Sequence, residues 1–572
     1  MKEEILKFFK GDVEDSDEIL LKYSRDASLL EVRPEIVVFP KDSEDIKALV
    51  KWVGDNKDKY PKLSLTSRSA GTCMSGGAIG ESIIVDFTRY MNRIEKIDRV
   101  NPFEITPKFG GAHGIIISGE AIVEPGCYYR DFEPKTLEQE LLLPCYTASK
   151  SLNAIGGMVG NNSGGEKTLN YGKTEDYIKE LCVVFADGRE YIVKPLTKKE
   201  LYGKIAQGDF EGEIYKNIFA LINENKIEIK GAKPNVSKNS AGYYLWNVWD
   251  EEKEIFDLTK LIVGSQGTLG IVTKITLHLV NVKKSSKLVA IFMKDIERLG
   301  EVVDTILVHK PESLESYDDA TMKLAIKFFP DFLKKKGFWG MIKFMWSFWP
   351  EAIMMLTFGI PKLILLVEFA GDNEKEIDKN AKKLLPDLKK FNFKTRVTKS
   401  ESESEKYWDI RRESFALLRK HVKDKHTAPF IDDIIVRPEF LPEFLPKLNN
   451  ILNNYPITYT IAGHAGNGNF HIIPLMDFAD EKTAPIIVDL SKEVYDLVFE
   501  YRGSTTGEHN DGIIRSPFLT QMFGNKIYSL FDKTKQIFDN KNILNPGKKI
   551  GGSIDYLKSH IIKESHEHSH KV

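Results

Sequence analysis

Three glycine-rich stretches constrain the fold of this chain more than any other feature: RSAGTCMSGG (Arg68–Gly77), IGGMVGNNSGG (Ile155–Gly165) and VGSQGTLG (Val263–Gly270). All three read as loops between short strands and helices. Small residues at Ala70, Gly71, Ser75, Gly76 and Gly77 let successive backbone N–H groups face an anion such as a pyrophosphate. The first stretch lacks GK[ST] and leads into a strand, Ser82–Phe87, so it is neither a Walker loop nor a dinucleotide fingerprint that opens a helix. One such loop is a weak signal, but three within one domain point to a single extended ligand. Upstream, EIVVFPKDSEDIKALVKWVGDN reads as a strand feeding a helix, with Asp42 or Ser43 as N-cap and Ile46, Leu49, Val50 and Val53 in helical spacing. Downstream, VVFADGREYIV reads as a hairpin about Asp187-Gly188. Short strands mixed with helices argue α+β rather than an open doubly wound sheet.

At 572 residues, two or three domains are expected. With 81 basic against 83 acidic residues, the charge gives no general attraction to nucleic acid. The four cysteines, Cys73, Cys127, Cys145 and Cys182, show no CxxC spacing and read as reduced, buried thiols, so no iron–sulfur motif is present in these residues. The opening MKEEILKFFKGDVEDSDEIL reads as charged helix rather than signal peptide, so the expected location is the cytoplasm, with the inner face of the cytoplasmic membrane as a peripheral alternative. No apolar run is long enough to span a bilayer; Ile353–Val367 is broken by Gly359, Pro361 and Lys362.

GHAGNGNFH (Gly463–His471) sets two imidazoles seven residues apart around a run too rich in glycine and asparagine for helix. It reads as a turn with a strand resuming at Ile472-Ile473. Neutral imidazole is the commonest metal ligand in proteins, and GEHNDG supplies a third candidate where Glu508 and His509 stand side by side. The alternative for both histidines is a surface or capping role.

In order and spacing, RSAGTCMSGG, Pro125-Gly126, IGGMVGNNSGG, YGKTED, FADG and VGSQGTLGIVT resemble the FAD-linked oxidases related to vanillyl-alcohol oxidase and the bacterial glycolate and D-lactate dehydrogenases. The likeness runs from about Pro34 to Gly551. It implies an α+β, two-subdomain FAD-binding domain of the p-cresol methylhydroxylase type. An α+β cap with a ferredoxin-like antiparallel sheet follows, and then a C-terminal helical segment returning to the flavin. The division expected is 1–31 (helical extension), 32–280 (FAD-binding), 281–510 (cap), 511–552 (flavin-contacting) and 553–572 (histidine-containing tail). By the same resemblance, FAD contacts fall on Ser69, Gly71, Thr72, Ser75, Gly76, Gly77, Ala148, Ser149, Gly156, Gly157, Asn162, Ser163, Gly164, Gly270, Val272 and Lys548. A divalent metal, often zinc, with manganese or iron as alternatives, falls on His464, His471 and Glu508. Arg411 is placed to face a substrate carboxylate, with Arg412 as the neighbour confusable with it, and His509 to act as base.

The resemblance implies oxidation of a D-2-hydroxy acid (D-lactate, glycolate or D-2-hydroxyglutarate) by hydride transfer to flavin. Alternatives are a flavin-binding electron-relay subunit and an enzyme like alkyl-glycerone-phosphate synthase. GEHNDG departs from the GEHGIG of glycolate-type relatives, and its form is associated with relatives fused to iron–sulfur modules. Electrons are then expected to pass to a quinone, a separate iron–sulfur or electron-transfer partner, or a soluble carrier. Within 325–360, paired Trp and Phe residues stand among lysines; this stretch reads either as a dock for the inner face of the membrane or for a partner, or as a buried helical hairpin of the cap.

Overall fold

The computed structural model describes residues 1–105, 114–319, 322–323, 359–421 and 425–563, with 412–421 described by their backbone alone. The fold is α+β and divides into two compact units. The first comprises 1–165, 171–282 and 504–562; the second is built from 166–170 and 283–503.

The first unit carries a four-stranded sheet in the order Asp12–Glu14, Ile36–Phe39, Ile83–Asp86, Leu65–Arg68. The last three strands run parallel, and Asp12–Glu14 pairs antiparallel to Ile36–Phe39. Ile36–Phe39 and Ile83–Asp86 are buried along their whole length, as parallel strands usually are. Helix Ser43–Asn56 makes the crossover, burying Ile46, Leu49, Val50 and Val53, while the Asp42 carboxylate caps it by accepting from the Asp45 N–H. The first glycine loop therefore sits at the C-terminal end of Leu65–Arg68, where parallel strands present ligand sites.

An antiparallel sheet in the same unit runs Ile94–Ile105, Ile115–Val123, Ile271–Asn281, Ile178–Val184, Glu190–Val193, with Leu141–Leu142 also on Ile271–Asn281. The hairpin expected about Asp187-Gly188 joins its last two strands. Three expectations change. Ile155–Asn161, read as loop, is a helix: Ile155, Met158 and Val159 bury one side, and Asn162 ends it in the left-handed region at φ 51°. The N-terminal residues, read as a separate extension, give the sheet a strand and its core Ile5, Phe9 and Val13. The return to the first unit comes at Ser504 rather than after Asn510, so Glu508 and His509 belong to the first unit.

The second unit is built on an antiparallel sheet in the order Lys394–Val397, Ser285–Met293, Leu363–Gly371, Ser313–Asp318, Thr458–His464, Asn469–Met476, His426–Thr427, with Ile434–Ile435 also on Asn469–Met476. Helices Leu299–Leu307, Glu374–Leu388, Leu441–Asn453 and Thr483–Glu500 belong to it. GHAGNGNFH, read as a turn, is mostly strand: only Ala465–Gly468 turns the chain, and both histidines stand on paired strands. Gly468 makes this possible, because its φ is +68° and a Cβ there would lie 1.9 Å from the Val436 carbonyl oxygen. Among the described residues, no helix is long and apolar enough to cross a membrane. The candidate dock at 325–360 falls almost wholly outside the described residues, as does the histidine-rich tail from residue 564.

Gly468→Ala is expected to lower stability by at least about 1–3 kcal/mol, because a left-handed backbone is combined with a backbone clash. Gly208→Ala, at φ +67° with nothing within 4 Å, should cost less. Thermal melts of the two flavoprotein variants check the contrast.

Candidate active site

In the first unit, three buried side-chain amides tie the glycine-rich segments together. The Gln266 amide nitrogen donates to Asn161 Oδ1 at 3.1 Å and to Ser75 Oγ at 3.4 Å, while its oxygen accepts the Gly512 N–H at 2.8 Å. Asn545 donates to the carbonyls of Gly77 at 2.9 Å and Gln266 at 2.6 Å and accepts from Thr66 Oγ1. Asn510 donates to the carbonyls of Asn161 and Gly264. At Gly512, φ is +53° and a Cβ would lie 2.1 Å from the Ser75 carbonyl oxygen, so glycine alone allows that approach. Ser69, Gly71, Thr72, Ser75, Gly76 and Gly77 thus share one loop, and Ser69 Oγ donates to the Pro125 carbonyl. Gly156 and Gly157 open the helix beside it, where a Cβ on Gly157 would meet nothing nearer than 3.9 Å. Ser163 and Gly164 follow that helix, and Thr174 Oγ1 donates to the Ser163 carbonyl. The Asn162 side chain bonds Glu175 on both its atoms, giving it a structural task. Ala148 and Ser149 sit in a turn closed by Thr147 Oγ1 at 2.9 Å from Ser149 Oγ. Gly270 and Val272 flank the start of strand Ile271–Asn281, with Val272 opposite Val183.

Lys548 is buried, and among the described residues its ammonium has no hydrogen-bond partner; burial lowers its pKa to about 8 although Asp26, Cys73 and Glu81 oppose the shift. A buried cation within electrostatic reach of Cys73 in the first glycine segment suits an anion, and the FAD diphosphate would supply one. These residues fit FAD. The cysteines carry no comparable reactivity: Cys73, Cys127 and Cys145 are buried and Cys182 half-buried, and burial raises the Cys127 and Cys145 thiols to about 12.

Also in this unit, Glu508 and His509 ride on a loop clamped by buried lysines. Lys173 Nζ donates to the carbonyls of Asn239 at 2.6 Å and Gly507 at 2.8 Å and to Ser240 Oγ at 2.6 Å. Lys238, fully buried, donates to Glu508 Oε2 at 2.9 Å. Lys549 pairs with Asp511 at 2.7 Å, and Gly242 N–H donates to the same carboxylate oxygen. His509 Nε2 lies 3.9 Å from Glu508 Oε1, and its ring is about a quarter exposed.

In the second unit, strand register brings the histidines together. His464 pairs with Asn469 and Ala462 with His471, so the two imidazoles are diagonal neighbours on one face, with ring centroids 5.2 Å apart. The register that sets Ser316 against Gly463 carries Glu315 to His464, and His464 Nδ1 bonds Glu315 Oε1 at 2.7 Å. His471 Nδ1 bonds Asp432 Oδ1 at 2.9 Å. Both carboxylates are buried. With Nδ1 committed to a carboxylate, Nε2 is the ring nitrogen that a metal would take, the usual outer shell of a histidine metal site. The donor chemistry therefore fits a divalent metal on His464 and His471. Arg411, on helix Glu401–His421, is buried and ion-paired with the other oxygen of Glu315. This rules out an exposed surface role for it.

Sequence reasoning missed Glu315, Asp432, Lys173 and Lys238. Glu315 alone carried a signal, as a carboxylate inside the buried strand SLESYD.

Residues 34–193 match the FAD binding domain family and 282–549 the C-terminal domain of FAD linked oxidases. The chain belongs to the FAD-linked oxidases. It is 26% identical over 553 residues to D-2-hydroxyglutarate dehydrogenase of Escherichia coli, covering 94% of this chain and 50% of that protein. The chain thus spans about half the length of the curated D-2-hydroxyglutarate dehydrogenases it matches. To the glycolate oxidase subunit GlcD of Bacillus subtilis it is 26% identical, covering 94% of this chain and 93% of that one. Its fold is shared with 4-ethylphenol oxidase from Gulosibacter chungangensis at a TM-score of 0.63 and 14% identity, covering 95% of this chain and 94% of that one. p-Cresol methylhydroxylase gives 0.62 at 15% identity, again covering 95% and 94%.

Lys548→Met should weaken FAD binding to the apoprotein about 10- to 100-fold, the worth of a charged hydrogen bond, read by flavin titration. Lys548 gives up its proton near pH 8 when folded, against 10.5 for a solvated lysine, so the unfolded chain binds more protons between those values. Apoprotein stability should therefore rise with pH across that window, more steeply than in Lys548→Met, as denaturant melts will show. Glu315→Gln and Asp432→Asn should each weaken Zn²⁺ binding about 10- to 100-fold, read by chelator competition.

Proposed function

We propose that this chain is an FAD- and divalent-metal-dependent dehydrogenase that oxidises a D-2-hydroxy acid to the 2-oxo acid. The observation that carries this reading is the pair of imidazoles whose Nδ1 atoms are committed to buried Glu315 and Asp432. A flavin-binding relay subunit has no use for two histidines oriented in this way. The relatives named above, D-2-hydroxyglutarate dehydrogenase and glycolate oxidase, supply the substrate class, and D-lactate dehydrogenase of Archaeoglobus fulgidus, 24% identical over 518 residues, adds lactate to it.

In this reading His464 and His471 hold the metal, with Glu508 as the third ligand of the sequence pattern, and Lys548 with the three glycine segments holds FAD. When bound, FAD would supply the hydride acceptor and a metal a Lewis acid for the substrate hydroxyl. Arg411 is the cation for the substrate carboxylate, which a guanidinium fork matches with two hydrogen bonds. His509 accepts the hydroxyl proton as the C2 hydrogen leaves, a general-base task suited to an imidazole. The electron acceptor in this reading would be a quinone or a separate iron–sulfur or electron-transfer protein.

Metal-replete protein mixed anaerobically with D-lactate, D-2-hydroxyglutarate or achiral glycolate should lose its flavin absorbance with at least one of them and keep it with L-lactate and L-2-hydroxyglutarate. Retention of the oxidised spectrum with all three would overturn the proposal.

A further inference from the structure

The loop that carries Glu508 is held more tightly than a turn requires, and the clamp is cationic. Lys173 grips the Gly507 carbonyl, Ser240 Oγ donates to the same oxygen at 3.1 Å, and Ser240 N–H donates to the Thr506 carbonyl at 2.9 Å. These contacts fix the backbone leading into Glu508. Lys238, two residues before Ser240, then places a fully buried ammonium 2.9 Å from Glu508 Oε2, while the other oxygen, Oε1, is the one turned toward His509. Isolated burial of either charge would be strongly unfavourable, so each holds the other in place. An ammonium held on one oxygen occupies one acceptor site of the carboxylate and fixes the orientation of the group.

We propose that Lys238 is a positioning residue for the metal site: by binding Glu508 Oε2 it fixes the orientation in which the carboxylate is presented as a ligand. The inference rests on the reading of Glu508 as a metal ligand. Lys238 touches neither substrate nor flavin in this scheme; it acts through Glu508, as outer-sphere partners orient ligating carboxylates in other metal sites. Replacing it therefore changes metal affinity before it changes anything else. Lys238→Met keeps the length of the side chain without its charge, and Lys238→Gln keeps an N–H donor.

The test is Zn²⁺ affinity of the full-length, FAD-loaded protein after chelator stripping, measured by competition with a chromophoric chelator, with flavin content and thermal midpoint as controls on folding. Glu508→Gln should weaken Zn²⁺ binding; if its affinity equals that of the wild type, the ligand reading itself fails. With that control in hand, Lys238→Met is expected to retain flavin and to bind Zn²⁺ about 10- to 100-fold more weakly, with Lys238→Gln in between. Wild-type affinity in a folded Lys238→Met protein would overturn the inference and leave Lys238 as a space-filling ion-pair partner. Should Lys238→Met fail to fold, Lys238→Gln decides alone: a loss of less than twofold overturns the proposal, and a larger loss with normal flavin content supports it.

Discussion

The first unit depends on a knot of buried amides more than on any single hydrophobic contact. Gln266, Asn510 and Asn545 each carry a donor pair and an acceptor on one planar group, and they bond backbone from all three glycine-rich segments and the C-terminal return. Glycine segments bring little side-chain packing of their own, so something else must hold them at one place. Carboxamides suit the task because they satisfy buried N–H and C=O groups without burying charge. Each group left unpaired would cost about 1–3 kcal/mol, so losing one amide disturbs several segments at once.

Buried charge is handled in two ways. Lys173, Lys238 and Lys549 are buried with oxygen partners supplied by the protein, whereas Lys548 is buried with none among the described residues. The first three are satisfied within the fold; the charge of the fourth suits an anion such as the FAD diphosphate. In the second unit, Glu315 does two things with one carboxylate, orienting His464 through Oε1 and neutralising Arg411 through Oε2. This joins the candidate metal ligand to the candidate substrate-binding cation on neighbouring strand and helix.

Asn510-Asp511 is where the chain leaves the glycolate-type pattern, a departure that in sequence alone points toward electron transfer. Both residues are fully buried: Asn510 bonds the Asn161 and Gly264 carbonyls, and Asp511 pairs with Lys549 and the Gly242 N–H. Their task in this unit is packing.

Local chemistry was enough to identify the glycine segments, the hairpin at Asp187-Gly188, the N-cap at Asp42 and the residue types of the site, because turn residues, caps and ligand types are written in short stretches of chain. Short-range reading failed where long-range packing overrides propensity, as in the glycine-bearing helix Ile155–Asn161 and the strand character of Gly463–His471. It also could not find Glu315, Asp432 or Lys238, which lie 149, 39 and 270 residues from the groups they hold. Residue identity determined what chemistry this protein can carry. Only the tertiary structure, by setting strand register and burying carboxylates and ammonium groups beside their partners, decided which nitrogen or oxygen is presented to do it.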